Sequence, residues 1–515
     1  MCMKNKPLAV IFITVFIDLI GFGMIIPLNP YLAREYGAGP LEIGLLMTVY
    51  SLMQFLFAPF WGQISDRVGR RPVILLTLLG VAVAHLWFAM AASLWTLFLA
   101  RALAGFFGAN IATAMAYIAD VTPEKERSKG MGLIGAAFGL GFMLGPFFGG
   151  IFGEIGQRLG DAPPLGLSFA AVVAAGISLL NFLFAYFVLP ESRSPQKPLA
   201  YHQAKPRFQL LIKHVKKPVL GPLMLTFFMS SCALAVIEAP LFLLVQDEYS
   251  WSLSLASFGF AYVGLIMVLT QGVLIRPLIS RLGERKLLLL GLLFAAIGYG
   301  LIGLSSEVWQ LAGAVTLMAL GTGFINPAIT GSISLLAEAD EQGSALGVNQ
   351  SFSAMGRIVG PAIGGWLYGE FGPSWPFFVA SVLALGAGGL SLRLYRSLPE
   401  GGKRSRQIHP DQVQEIGFFQ LENLKLNNVP FLFFALCKES ELRGHPQSAL
   451  LEMARPMTAE AIKKHLQSLG EESAKSHPIV LVCPDGGAST QLAVELEAQG
   501  YLNVYVLEGG LEVSE

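Results

Sequence analysis

The 515-residue chain is 54% hydrophobic and only 14% charged, against about 25% charged in an ordinary soluble domain, which excludes a protein that is soluble as a whole. Its formal net charge is zero, so nothing in the balance points to a nucleic-acid partner. The four cysteines, Cys2, Cys232, Cys437 and Cys483, are scattered without a CxxC pair or a metal-like spacing with histidine, so no disulfide, metal or cofactor is expected.

Apolar runs of about 20 residues, the length that crosses a bilayer, recur along the first 395 residues. They lie near 8–32, 41–64, 72–91, 94–118, 129–153 and 165–189, then near 219–245, 252–275, 286–305, 308–333, 342–369 and 373–394. The first has no small-residue cleavage site and runs into Pro27 and Pro30, so it reads as a span and not as a signal peptide. The lysines and arginines concentrate in alternate connections: Arg67, Arg70 and Arg71; Lys125, Arg127 and Lys129; Lys205 to Lys217; Arg281, Arg285 and Lys286. By the positive-inside rule both termini are expected in the cytoplasm. The acidic connection Glu338-Ala-Asp-Glu-Gln is the one dissenter.

After Leu394 a basic linker leads into residues of ordinary soluble composition. Phe431-Leu-Phe-Phe-Ala-Leu, Ile479-Val-Leu-Val-Cys483 and Val504-Tyr-Val-Leu read as strands, with helices over Ala459–Leu469 and Ser489–Gln499. That alternation predicts a small parallel α/β domain. The expected organisation is an all-α membrane protein of two six-helix halves, 1–192 and 219–395, with a cytoplasmic linker at 193–218. A basic linker at 396–411 and an α/β domain at 412–515 complete it.

The halves repeat. Gly145-Pro-Phe-Phe-Gly-Gly returns as Gly360-Pro-Ala-Ile-Gly-Gly (360 − 145 = 215), and Arg67-Val-Gly-Arg-Arg as Arg281-Leu-Gly-Glu-Arg (281 − 67 = 214). Two unrelated motifs displaced by nearly one distance indicate duplication of a six-helix unit, with a substrate site between the copies.

Asp18 stands alone in the first apolar run. A carboxylate there costs roughly 2.5–3.5 kcal/mol on insertion scales. It is expected to face the bundle interior and take up protons, the structural alternative being a cap or a pair with a neighbouring helix. Arg101, inside the fourth run, cannot lose its charge and is expected to pair with Asp18. Glu238 in the seventh run answers Asp18 in the second half, with Arg357 as its expected partner; a carboxylate reaching the interface is the alternative. Gln54, Asn110, Asn326, Asn349 and Gln350 offer hydrogen-bonding groups for a substrate cavity. His85 titrates near neutral pH, but a lone histidine on an apolar helix reads first as a packed polar residue.

Gly62-Gln-Ile-Ser-Asp66-Arg67-Val-Gly69-Arg70-Arg71-Pro72 closely resembles the loop signature of the major facilitator superfamily, and Arg101-Ala-Leu-Ala-Gly105 its next motif. Gly139-Leu-Gly141-Phe-Met-Leu-Gly145-Pro146-Phe-Phe-Gly149-Gly150 is similar to the motif of the antiporters within it. Pro361 follows the repeated glycine of the second copy. The resemblance covers residues 1 to about 395 and implies a transporter working by alternating access. Asp66 would hold the cytoplasmic side shut, joined by Arg67, Arg70, Arg71, Asp120 and Arg127. The segments around Asp18-Leu-Ile-Gly-Phe-Gly-Met-Ile-Ile-Pro27 and Tyr50-Ser-Leu-Met-Gln54 look most like the tetracycline-efflux and drug:proton antiporter group. Further membrane aspartates of those pumps are matched here by Ala84 and Ala295, which counts against tetracycline–metal recognition. The function implied is proton-coupled efflux of small amphipathic compounds across a bacterial inner membrane. The partners are the substrate, protons and the bilayer. A metabolite symporter, or a sensor signalling through the tail, are the alternatives.

Cys483-Pro-Asp-Gly486-Gly487-Ala-Ser489 resembles the loop of a rhodanese-like domain. The loop arginine of that pattern is Ala488 here, an earlier Asp-x-Arg is Ala435-Leu-Cys437, and Arg443-Gly-His445 keeps a trace of a Gly-His element. The domain is therefore read as degenerate, without enzymatic turnover, and as binding a regulatory ligand or protein. A ferredoxin-like fold is the alternative.

Overall fold

The computed structural model describes residues 6–122, 127–192, 213–336 and 342–395. In the tail it describes 414–416, 421–422, 430–437, 442, 451, 453–468, 478–484, 487–499, 501 and 504–507. The chain divides into two compact units, Met1–Gly402 and Lys403–Glu515, the division falling inside the expected basic linker.

The first unit is helical. Its first half holds α1 (Lys6–Glu35), α2 (Pro40–Val68), α3 (Arg70–Ala89), α4 (Leu94–Phe107), α5 (Ile111–Val121), α6 (Arg127–Leu159) and α7 (Phe169–Val188). A single turn at Gly108–Asn110 joins α4 to α5 into the fourth span. The second half holds α8 (Leu220–Asp247), α9 (Leu253–Leu269), α10 (Ile275–Leu304), α11 (Val308–Leu336), α12 (Gln342–Phe371) and α13 (Trp375–Leu394). A wide turn at Thr270–Leu274 joins α9 to α10, and Gly283 breaks α10 at φ 75°, so the eighth and ninth spans meet there. Among the described residues eleven helical segments are long and apolar enough to cross a membrane. The helix in the remaining place, α12, is as long but carries Asn349, Gln350, Ser351, Ser353 and Arg357. It packs against α2 and α8.

Successive spans alternate in direction. Two ends of the bundle are therefore defined: the odd end, at the connections after the first, third and later odd spans, and the even end, at the others. Gly69 (φ 104°) and Gly283 (φ 75°) make the same sharp turn at the even end in both halves, a conformation that only glycine adopts without strain. The sequence repeat is thus a structural one.

Glycines set the helix packing. A Cβ on Gly145 would lie 2.6 Å from Gly23 Cα, and one on Gly149 2.7 Å from the Met24 carbonyl oxygen, so α6 and α1 touch backbone to backbone. Gly360 stands in the same way against Ala235, and Gly364 against Val236, joining α12 to α8. Small residues that permit close approach are the main attraction between helices in lipid, where apolar burial alone favours none. Pro146 and Pro361 lie inside these helices. Between halves, α2 packs on α12 and α6 on α9. The large outward residues, such as Phe187, Leu180 and Val382, cover the face that meets lipid, while Trp95 and Trp309 mark the odd-end interface in each half.

Among the described residues the tail unit forms a five-stranded parallel sheet in the order β1–β5–β4–β2–β3, with β1 Gln414–Ile416, β2 Leu432–Ala435, β3 Arg455–Pro456, β4 Ile479–Val482 and β5 Val504–Leu507. Helices α14 (Ala459–Ser468) and α15 (Gly487–Ala498) accompany it. One apolar core, with Phe434, Ile462, Leu481 and Leu492, covers one face, and a second, with Phe433, Leu451, Val480 and Leu507, the other. An all-parallel sheet buried on both faces excludes the antiparallel ferredoxin-like alternative.

Candidate functional site

The even-end turn of the first half builds a charge cluster around Arg70. Its Nη1 lies 2.7 Å from Asp66 Oδ1 and donates to Ser65 Oγ, while its Nε lies 3.2 Å from Asp120 Oδ2. Arg71 donates to the carbonyls of Leu189 (2.8 Å) and Tyr186 (2.6 Å), clamping the end of α7. Glu191 accepts from the backbone amides of both Arg70 and Arg71 at 3.0 and 3.1 Å. Those are the free amides that begin α3, and a carboxylate there also meets the positive end of the helix. The sequence reading missed Glu191; Leu189-Pro-Glu at the end of an apolar run was its only signal. Arg67 points outward and is exposed. The side chain of Arg127 lies outside the described residues. Asp66 thus contacts Arg70 of its own half.

The odd end carries a latch between the halves. Arg34 on α1 grips Asp247 on α8 with two bonds, at 2.5 and 2.8 Å, and donates to Gln246 at 3.0 Å. Tyr368 on α12 donates to Asp247 at 2.7 Å, and Tyr31 donates to the Trp251 carbonyl at 2.8 Å. Further along α12, Thr48 on α2 donates to the Ile358 carbonyl at 2.9 Å. Gly44 meets the Pro361 carbonyl and Gly365 that of Pro40. The halves are closed at this end.

Asp18 lies inside the first half, in a small cavity lined by Ile11, Thr14 and Val15 of α1, Ile74 and Leu78 of α3, and Asn110 and Ala114. Asn110 Nδ2 donates to Asp18 Oδ2 at 3.5 Å, and Asp18 Oδ1 is buried with no partner. The expected Asp18–Arg101 pair is not made. Arg101 instead stacks over the Tyr50 ring, 4.5 Å from its centroid, and near Phe22 at 5.9 Å. It is 3% exposed, and its Nε and Nη1 have no hydrogen-bond partner. The physical reason is geometric: Asp18 turns toward α3, whereas Arg101 turns toward α2 and the second half. There it lies within electrostatic reach of Glu238, which also feels Arg357. Arg357 is exposed although many residues surround it.

The neutral cavity candidates differ in their surroundings. Asn110 serves Asp18, and Gln54 is spent on the Gly108 carbonyl at 2.9 Å. Asn349 is fully buried with both side-chain polar atoms unpartnered, while Asn326 and Gln350 are exposed. Of the five, Asn110 lines the small cavity at Asp18. His85 is buried beside the Ser178 hydroxyl at 3.3 Å, a packed polar residue.

In the tail, Cys483 closes β4 and Ser489 lies in the first turn of α15. The Ser489 amide donates to Cys483 Sγ at 3.3 Å, and the two side chains are 3.2 Å apart, both buried. Gly487 starts the helix; Gly486, Arg443 and His445 lie outside the described residues. Among the described residues no cluster of three or more His, Cys, Asp or Glu is placed to hold a metal ion.

The description "Major Facilitator Superfamily" matches residues 11–276 and 239–438. The chain belongs to the major facilitator superfamily. Its closed odd end, even-end charge cluster and duplicated halves are those of a multi-pass membrane transporter of that superfamily. "Rhodanese-like domain" matches 441–513, so this facilitator carries a rhodanese-like tail. The tetracycline resistance protein, class E, of Escherichia coli is 32% identical over 419 residues, covering 80% of this chain and 99% of its own. Multidrug resistance protein 2 of Bacillus subtilis is 28% identical over 391 residues, 75% and 94%. Among solved structures, the human organic anion transporter MFSD10 is 25% identical, with a TM-score of 0.58 over 76% of this chain and 100% of its own.

Proposed function

We propose that this facilitator exports small amphipathic compounds in exchange for protons, by alternating access between halves 1–192 and 219–395. The observation that carries the reading is Asp18: a carboxyl buried in a span, touched by one neutral amide, with its second oxygen unpartnered. Among the described residues no cation pairs with it, so its charged form is costly there and proton uptake relieves the cost. Relatives named for tetracycline and multidrug resistance support drug-like substrates. A solved neighbour is named for organic anions, so the charge that this chain selects is decided by its own side chains.

The lysine and arginine bias puts the even end and both termini in the cytoplasm, with the inner membrane of a bacterium as the site. The observed state is then closed toward the outside, that face held by Arg34–Asp247. Asp66 and its cluster act as the opposite gate, exchanging contacts within their half for contacts with the second half when that side closes. The tail, with Ala488 where a sulfur-transferring loop has arginine, binds a regulatory ligand or protein and turns nothing over. Compound-dependent proton release from the purified protein tests the exchange. Release on adding a transported compound at weakly buffered pH is expected, and binding without release would overturn the coupling.

A further inference from the structure

Among the described residues, two carboxylates and two guanidinium groups lie deep in the spans away from the odd-end latch: Asp18, Arg101, Glu238 and Arg357. The structure separates them unequally. Asp18 is drawn into its own cavity beside α3 and Asn110. The other three are linked electrostatically: Glu238 feels both arginines, and so does Tyr50, over whose ring Arg101 stacks at 4.5 Å. That set holds two guanidinium groups and one carboxylate.

Neither guanidinium can shed its charge, and a buried cation without a counter-charge is strongly destabilising. One is offset by Glu238. The other is only partly relieved by the faces of Tyr50 and Phe22, since such stacking contributes less than an ion pair. Arg101 is 97% enclosed, yet its Nε and Nη1 hydrogens go unused. Arg357 is exposed. A planar fork with unused donors, beside two aromatic rings and one positive charge in excess, matches one class of ligand: an aromatic or apolar body that bears a carboxylate, sulfonate or enolate.

We propose that the central cleft selects amphipathic organic anions, whose acidic group binds Arg357 and Arg101 in place of Glu238 while the apolar body lies against Tyr50 and Phe22. The proposal rests on the export reading for its site and narrows the substrate to one sign of charge. Glu238 then competes with the substrate for the arginines and does not attract it. This sets the inference apart from a cation exporter, in which a membrane carboxylate is the docking group.

The test is equilibrium binding to the full chain in nanodiscs, with empty discs subtracted, using two probes of one shape: naphthalenesulfonate and naphthyltrimethylammonium. The wild type is expected to bind the sulfonate and to prefer it to the ammonium. Arg357→Gln and Arg101→Gln should each weaken the sulfonate about tenfold or more, the loss of a charge-assisted hydrogen bond. Glu238→Gln, which removes the competing charge with little change in shape, should tighten it several-fold. Preference for the ammonium, or a Glu238→Gln variant that binds the sulfonate more weakly, would overturn the proposal. Should an arginine variant fail to fold, the wild-type preference and Glu238→Gln still decide it. Binding at fixed pH needs no coupling, so an exporter that moves no protons would still show the preference. A proton-coupled exporter preferring the cation would sink this inference alone.

Discussion

Replacing Asp247 with Asn should open the odd end of the bundle. Asp247 accepts two bonds from Arg34, at 2.5 and 2.8 Å, and a third from Tyr368 at 2.7 Å. The amide keeps one acceptor but removes the charge and the two-pronged geometry. Charge-assisted hydrogen bonds contribute about 1.5–3 kcal/mol when buried. The side chains of Arg34 and Asp247 are 26% and 35% exposed, and exposed pairs contribute only about 0–1 kcal/mol. A partly screened double bond therefore sits near 1–2 kcal/mol, which shifts a two-state ratio about 5- to 30-fold. The pair spans the two halves, so the whole shift falls on the balance between closed and open odd ends. Spin labels on exposed Glu35 and Glu248 would report it as growth of a long-distance population in Asp247→Asn. Identical distance distributions in wild type and variant would show that Arg34–Asp247 is not a latch, and that the glycine packing of α2 on α12 holds this end by itself.

Other outcomes follow from the same geometry. Gly145→Val should abolish folded, membrane-inserted protein, because even a Cβ there meets Gly23 at 2.6 Å. Gly176→Ala, with nothing within 4 Å, should be neutral or up to about 1 kcal/mol stabilising, and fluorescence-detected size exclusion separates the two. Asp66→Ala should favour the even-end-open state, read as raised labelling of cysteines introduced at that end, and unchanged labelling at both ends would remove its gating role. Truncation after Arg404 should leave measurable flux. The full chain should show negligible thiosulfate sulfurtransferase turnover, and robust turnover lost in Cys483→Ser would make the tail a working enzyme.

The helices were legible because the bilayer imposes one length and one composition on each span, and the duplication because Gly69 and Gly283 need the same turn. The helix α12 carries a weaker apolar signal, diluted by Asn349, Gln350 and Arg357, and the repeated Gly360-Pro361 marked it as well. In the tail, β2, β4 and β5 announced themselves as buried apolar runs. The edge strands Gln414–Ile416 and Arg455–Pro456 did not, being too short and polar to show a period. Side-chain partners across the bundle were the least legible. Arg34 and Asp247 are 213 residues apart, and nothing local to either encodes the other. Asp18 and Arg101 looked complementary as charges, but the directions their helices give them send one into the half and the other toward the cleft.

The central claim is that Asp18 carries the exchanged proton. It is tested most directly by Asp18→Asn in proteoliposomes with an imposed pH gradient, measured beside counterflow without one. The account predicts that uphill, gradient-driven transport is abolished while counterflow survives, since the isosteric amide removes the titrating oxygen and leaves the helix contacts in place. Uphill transport at the wild-type rate would contradict it and move the coupling site elsewhere, with Glu238 next in line.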